Sequence, residues 1–405
     1  MYKMVIGLIR EGKQEPDSRV ALTPAQCRWL LTNRKDITII VQHSSSRCFA
    51  DAEYIRAGVA VQESLDDCEI LLGIKEVPVA MLLPQKTYLF FSHTKKLQPY
   101  NQAMLQEILR KKITLIDYEC LVHEDGTRII GFGFFAGIVG AHNGMMAYGN
   151  RTGSFTLDRV FAIKSMNRLI HTYFGLHLPN IKIAVTGSGR VAHGILEIMN
   201  LMGIRETEPE DFLAQTFKYP VYVHLKGADL YKRKDGQPYS RAYFHANPEL
   251  YESLFTNYLA HADIVMNGVY WTEAIPQLFS MEDMQRADFK IATIADITDD
   301  KHGSIPCNLG DSSIQDPVYG VDKMTGVKTA AYVISSVDVM AVSNLPNELP
   351  RDASRYFGEQ MIKYIFPELL ATESSIIHHA CITKNGLLNE PFSYMTDYAN
   401  GSAVE

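Results

Sequence analysis

The sequence predicts an α/β protein of two Rossmann-like domains, each with a parallel sheet, separated by a substrate cleft. Three observations lead there. β-Rich runs alternate with helical patterns through the first third of the chain, the signature of a parallel sheet with crossover helices. A strand, a glycine turn and a helix follow one another immediately from residue 181 onward. At 405 residues the chain is too long for one ordinary core and suits two.

The first strands are read in "MVIGLI", "DITIIVQ", "EILLGI", "TYLFFSH" and "ITLIDYECL". Thr23 and Pro24 mark a helix start, an N-cap followed by proline at the first helical position. A further helix covers "PYNQAMLQEILRKK", with Met104, Leu105, Ile108 and Leu109 on one side. The Gly-rich run "IIGFGFFAGIVGAHNGMMAYGN" marks a crossing between domains. A helical segment with Arg159, Ala162 and Met166 then leads into "IKIAVTGSGRVAHGILEIMNLMG". Later strands are "ADIVMNGV" and "KIATIADIT", and "PNELPRDASRYFGEQMIKYIFPELL" reads as a terminal helix. The charged, tyrosine-rich "KGADLYKRKDGQPYSRAYFHANPELYESL" is a solvated insertion.

Composition narrows the function classes. Hydrophobic residues at 46% and charged ones at 21% indicate a globular chain rather than a disordered or fibrous one. With 39 Lys+Arg against 46 Asp+Glu the net charge is −7, so nucleic acid is not an expected partner. The amino terminus lacks a signal-peptide pattern, and no apolar run approaches the ~20 residues that span a bilayer, so a cytoplasmic location without membrane contact is expected. Six scattered cysteines form no C-x-x-C pair; they are expected to be reduced and mostly buried, with no metal site.

Gly187-Ser188-Gly189-Arg190-Val191-Ala192 fits the G-x-G-x-x-A dinucleotide fingerprint in the required setting, after a strand and opening a helix. Gly187 permits the tight turn, Gly189 admits a pyrophosphate to the backbone, and Ala192 lets helix and strand pack closely. The phosphate then lies on the helix N–H groups. Counting about 20 residues onward finds Glu206 and Glu208 as candidate ribose ligands. An acid there favours NAD, whereas the neighbouring Arg205 suits NADP, and the choice stays open.

Two strands end in ionisable groups: Lys75 and Glu76 after "EILLGI", and His93 and Lys95 after "TYLFFS". Glu119 in "LIDYECL" and Arg128 in "GTRIIGFGF" belong to the same sheet edge. Ligands of open parallel sheets bind outside the carboxyl ends of strands, so this set suits a small anionic substrate. A lysine beside a second cation has its pKa pulled down, and histidine already titrates near neutrality.

The runs "RVALTP", "ILLGIKEVP", "FFSHTKK", "LIDYECL", "GTRIIGFGFFAG", "TGSGRVAHG", "MNGVYW", "ADITDD", "GSIP" and "NLPNELPRDAS", in this order, resemble a known family. It is that of the lysine–ketoglutarate reductase domain of aminoadipic semialdehyde synthase and the lysine-forming saccharopine dehydrogenases, with alanine dehydrogenase as a more distant relative. The resemblance implies a discontinuous substrate domain, residues 1–137 with 335–405, and a dinucleotide-binding domain, residues 138–334. It implies the reaction L-lysine + 2-oxoglutarate + NAD(P)H ⇌ saccharopine + NAD(P)⁺, with Lys75 and His93 as the acid–base pair. Lys13, Arg19 and Arg128 then lie near substrate, Glu76 and Glu119 tune the pair, and Asp299 lies near the nicotinamide. Asn267, in "MNGVYW", is expected to contact ribose or nicotinamide. Since the chain ends at 405, a separate glutamate-forming saccharopine dehydrogenase is expected for any second step; homo-oligomer formation is left open. Two other readings stand beside this one: an alanine-dehydrogenase-like enzyme using ammonia and a small 2-oxo acid, and a non-catalytic NAD(P)-binding regulator.

Overall fold

The computed structural model describes residues 3–13, 17–310 and 312–401. The chain forms two compact units that divide at Phe132/Gly133 and Leu349/Pro350. Unit 1 opens with β1 (Met4–Leu8), α1 (Pro24–Asn33), β2 (Ile37–Gln42), α2 (Asp51–Arg56), β3 (Ala60–Gln62), β4 (Ile70–Leu72), β5 (Thr87–Phe90), α3 (Gln102–Arg110) and β6 (Thr114–Asp117). Unit 2 contains α4 (Gly133–Thr152), α5 (Val160–Ile163), α6 (Met166–Thr172), β7 (Lys182–Thr186), α7 (Arg190–Leu201), β8 (Arg205–Glu206), α8 (Pro209–Ala214) and β9 (Val221–Leu225). There follow β10 (Tyr231–Arg233), α9 (Arg241–Ala246), β11 (Tyr251–Ser253), β12 (Ile264–Asn267), β13 (Thr293–Asp296), β14 (Val318–Asp322), β15 (Lys328–Thr329) and β16 (Ser336–Met340). The chain returns to unit 1 with α10 (Pro350–Gln360), α11 (Phe366–Leu369), α12 (Ser375–Ala380), β17 (Cys381–Lys384) and β18 (Leu387–Leu388).

The sheet of unit 1 runs β18-β17-β6-β5-β4-β1-β2-β3. From β6 to β3 every pairing is parallel, and β17 closes the β6 edge antiparallel. β4 is buried along its whole length and β5 along three of its four residues, as expected of parallel strands covered on both faces. Chain order proceeds outward from β1 to β3 on one side and from β4 to β6 on the other. The sheet therefore has its topological switch point between β1 and β4, the place where open α/β sheets bind ligands. The start of α1 is fixed locally: Thr23 and Gln26 form a capping box, and Pro24 occupies the first turn.

Unit 2 has the order β15-β14-β16-β13-β12-β7-β9-β8, again parallel except for the β14 and β15 edge. Its core packs Phe212, Val223, Phe255, Val265, Ile294 and Val339 together. The Gly-rich run expected to mark a crossing between domains contains it, at Phe132/Gly133, and from Gly133 onward forms the body of α4. A Cβ on Gly137 would strike the carbonyl oxygen of Val191, and one on Gly194 that of Phe134, so α4 and α7 meet backbone to backbone. The chain thus enters unit 2 at Gly133 rather than at residue 138. It leaves at Leu349 rather than at 334, because β16 pairs with both β13 and β14.

All six cysteines are free thiols, five of them buried and Cys48 half-buried. Among the described residues no helix is long and apolar enough to cross a membrane.

Candidate active site

The switch point of unit 1 gathers charged groups from two strand ends. β1 leads into Glu11 and Lys13, and β4 leads into Lys75 and Glu76. Glu11 accepts the backbone N–H of Ile74 at 2.7 Å and that of Lys75 at 2.9 Å, one on each carboxylate oxygen. It thereby holds the turn that carries Lys75. Burial, reinforced by Asp17, pushes the Glu11 carboxyl up to about 8, against the two N–H bonds and Arg19. The Lys75 ammonium forms no hydrogen bond or salt bridge among the described residues. Burial first, then Arg19, lower its pKa, while Asp17 and Glu76 oppose the shift.

His93 stands at the carboxyl end of β5, next to β4. Its backbone is left-handed, with φ 52°, an uncommon state for a residue with a side chain. The conformation is held from the third strand end. Asp117, fully buried on β6, accepts from the N–H of Ser92 at 3.1 Å and from its hydroxyl, while its other oxygen takes the N–H of Glu119 at 2.7 Å. One carboxylate thus ties the turn of His93 to that of Glu119. Nδ1 of His93 lies 2.7 Å from Oε1 of Glu76, so Nδ1 carries the proton that a carboxylate accepts and Nε2 is the remaining ring nitrogen. Phe91 stacks on the imidazole, with ring centroids 6.3 Å apart.

Each expected cation has an acidic neighbour. Lys13 lies 3.3 Å from Oε2 of Glu76, and Arg128 donates to Oε1 of Glu119 at 2.7 Å, with Lys95 3.8 Å from the same oxygen. Burial raises the carboxyl of Glu76, but the His93 hydrogen bond and charge and then Lys13 outweigh it and hold the group at about 2. Burial likewise opposes ionisation of Glu119, and Arg128, Lys95 and Lys96 bring it below the ordinary range. Arg19 departs from expectation. It is 3% exposed, makes a two-pronged pair with Asp17 at 3.0 and 2.5 Å, and packs over the Phe132 ring. Its guanidinium is therefore turned into the unit, behind Lys75, rather than presented to a substrate carboxylate. Glu11, Asp17 and Asp117 have no motif signal of their own, since their partners come from distant turns and neighbouring strands.

In unit 2, Gly187 has φ 104°, and a Cβ there would lie 2.6 Å from the carbonyl carbon of Gly268 at the end of β12. Only glycine fits that turn. Gly189 has no atom within 4 Å of its Cβ position, and it and Ser188 are exposed at the start of α7. Backbone open on that side, followed by the N–H groups of Arg190 and Val191, is the arrangement a dinucleotide pyrophosphate requires, so the residues present fit such a cofactor.

Three expected cofactor ligands are placed elsewhere. Glu206 lies on the edge strand β8, paired with Tyr222 at the level of Ile183, about 13 Å below Gly187 at ~3.3 Å per residue. Its carboxylate accepts the Tyr222 hydroxyl at 3.2 Å. Glu208 precedes α8 beyond the same strand, so β9 separates both acids from β7. Asn267 is 0% exposed, and its amide is engaged internally, donating to Asp296, Thr298 and Ser304 and accepting from Thr186. It is a buried tie among β7, β12 and β13 rather than a cofactor contact. Asp299 follows β13 in a left-handed conformation, φ 59°.

Comparison with known proteins gives a consistent picture. Residues 7–139 match the family model "Alanine dehydrogenase/PNT, N-terminal domain". The mitochondrial alpha-aminoadipic semialdehyde synthase of Rattus norvegicus is 28% identical over 444 residues, covering 97% of this chain and 48% of that protein. The chain thus spans about half the length of such relatives. The saccharopine dehydrogenase (NAD(+), L-lysine-forming) of Yarrowia lipolytica is 24% identical, covering 87% of this chain and 89% of that one. Among solved structures, an L-alanine dehydrogenase superposes with a TM-score of 0.65 at 15% identity, covering 98% of this chain and 99% of that chain, a likeness of fold.

Proposed function

We propose that this chain, whose residues 7–139 match the alanine dehydrogenase/PNT N-terminal domain model, is an oxidoreductase that uses NAD or NADP to form or oxidise saccharopine. The observation that carries the reading is the disposition of Lys75 and His93 on neighbouring strand ends, one amine lowered by burial and one imidazole oriented by Glu76. Forming a carbon–nitrogen bond from L-lysine and 2-oxoglutarate requires the ε-amine to lose a proton, attack the ketone, and lose water from the carbinolamine. The resulting imine must be protonated before reduction. Two groups able to accept and donate protons serve these steps, Lys75 through Nζ and His93 through Nε2. Glu76 holds His93 in one tautomer, as second carboxylates do for catalytic imidazoles. Arg128 and Lys95, each beside Glu119, are suited by their charge to substrate carboxylates. A bound nicotinamide supplies the hydride.

The relatives' names support the substrate assignment, and the Gly187–Gly189 turn supports the cofactor. The test follows nicotinamide absorbance with the purified chain, 2-oxoglutarate, and either L-lysine or ammonia. Lysine-dependent oxidation is expected, lost in His93→Ala and Lys75→Met. Turnover with ammonia and a small 2-oxo acid alone replaces the reading with an alanine-dehydrogenase-like one.

A further inference from the structure

The nucleotide turn of unit 2 carries information about which cofactor it takes. In a dinucleotide-binding sheet, the residue that meets the adenosine ribose lies at the carboxyl end of the strand next to the glycine-turn strand. Counting along the sequence lands on β8, but the sheet does not follow that count. β9 is inserted between β7 and β8, in parallel register with β7 from Lys182↔Val221 to Thr186↔Leu225. The strand end beside Gly187 is therefore His224-Leu225-Lys226. Contact across it is direct: Nε2 of His224 lies 2.7 Å from the carbonyl oxygen of Gly187. Lys226, the next residue beyond β9, is exposed, and its ammonium has no hydrogen bond or ion pair among the described residues.

We infer that Lys226 selects NADP over NAD by receiving the 2′-phosphate of the adenosine ribose, an inference that rests on the dinucleotide reading proposed above. None of His224, Leu225 and Lys226 is an acid that would bind a free 2′-hydroxyl and repel a phosphate, and an exposed cation ends the strand instead. Two acids lie nearby. Asp229 accepts the backbone N–H of Lys226 at 3.3 Å and so caps the following turn, and Glu208 is one strand further out. Neither pairs with the Lys226 ammonium. His224 backs the turn through Gly187 and sits beside the same phosphate position.

The test is equilibrium binding by calorimetry to the full-length chain, without substrate, using NADP⁺, NAD⁺, 2′,5′-ADP and ADP. NADP⁺ is expected to bind roughly tenfold or more tightly than NAD⁺, the scale of one charge-assisted hydrogen bond. The same preference is expected for 2′,5′-ADP over ADP. Lys226→Ala should abolish the preference while leaving NAD⁺ affinity within about twofold, and Lys226→Glu should reverse it. Since Lys226 is exposed, unchanged melting temperatures will accompany both variants. Equal or tighter binding of NAD⁺ by the unaltered chain overturns the inference; if Asp229→Asn then weakens NAD⁺, Asp229 is the ribose ligand. A preference that survives Lys226→Ala also overturns it. Lysine-dependent turnover is a separate measurement, so a wrong amine substrate leaves this result intact, whereas failure to bind any of the four probes removes both the inference and the cofactor reading.

Discussion

The carboxylate of Glu76 lies 2.7 Å from Nδ1 of His93, joining the turn after β4 to the turn after β5. Glu76→Gln keeps the shape and removes the charge. The imidazole loses the carboxylate that accepts from Nδ1 and fixes its tautomer, so Nε2 is no longer held in one protonation form for proton transfer. We expect kcat to drop about 10²- to 10⁴-fold, the range of one acid–base contribution. Steady-state kinetics and the 15N NMR tautomer of the His93 ring check this, and an unchanged kcat with an unchanged tautomer contradicts the assignment.

Arg19 and Asp17 form a buried pair behind Lys75. Arg19→Met removes a cation that depresses the lysine, so the Lys75 pKa should rise, and Asp17→Asn should lower it. Each variant removes one charge of a buried ion pair, at a cost of about 3–5 kcal/mol. Selective labelling of Lys75 as a function of pH reads the first effect, and denaturant melts read the second. Equal shifts in the two variants would show that Lys75 does not sense the pair.

Gly187 and Gly189 should separate folding from binding. Gly187→Ala places a Cβ against the Gly268 carbonyl in a left-handed backbone, so unit 2 should melt at a lower temperature. Gly189→Ala meets nothing in the protein and should melt normally, yet its methyl group occupies the space of the pyrophosphate. Calorimetric melting with NADP⁺ titration distinguishes them, and normal NADP⁺ binding by Gly189→Ala would remove the phosphate assignment.

Stability should pass through a maximum in mildly acidic solution. Glu11 and Glu348 titrate at about 8 and about 7 in the fold, above their ordinary 4.5, chiefly because both are buried. Folding binds their protons more firmly, so their contribution is complete below 4.5 and is lost as pH rises through 7 to 8. Asp17 and Glu76, held at about 2, act oppositely; their contribution is present above 4.5 and lost as pH falls toward 2. Urea midpoints at pH 3, 5.5 and 9 should be highest at 5.5, and Glu11→Gln with Glu348→Gln should flatten the alkaline side. A midpoint that climbs steadily to pH 9 would contradict the burial of both acids.

The parallel sheets, the glycine turn and the strand ends bearing Lys75, His93 and Glu119 were legible because each is written locally, in runs of β-rich residues and the charge that ends them. The supporting acids were not. Asp117 matters through Ser92, and Glu11 through Ile74 and Lys75, and such pairings arise only once β6 lies beside β5 and β1 beside β4. Glu206 was misplaced for a related reason: a count of residues assumes that the next strand in the chain is the next in the sheet, and β9 breaks that rule. Arg19 and Asn267 carry polar side chains that suggest ligands, yet each is buried against an internal partner.

The antiparallel strand that closes unit 1 has a consequence for how the protein is made. Thr383 of β17 caps the N–H of Leu115 on β6 from 268 residues away. At a synthesis rate of ~5–20 residues per second, β6 leaves the ribosome on the order of tens of seconds before its partner exists. Unit 2, a continuous segment from Gly133 to Leu349, is completed during that interval. The nascent chain therefore carries an open sheet edge at β6, the kind of edge that pairs with other chains, while an entire second unit is built.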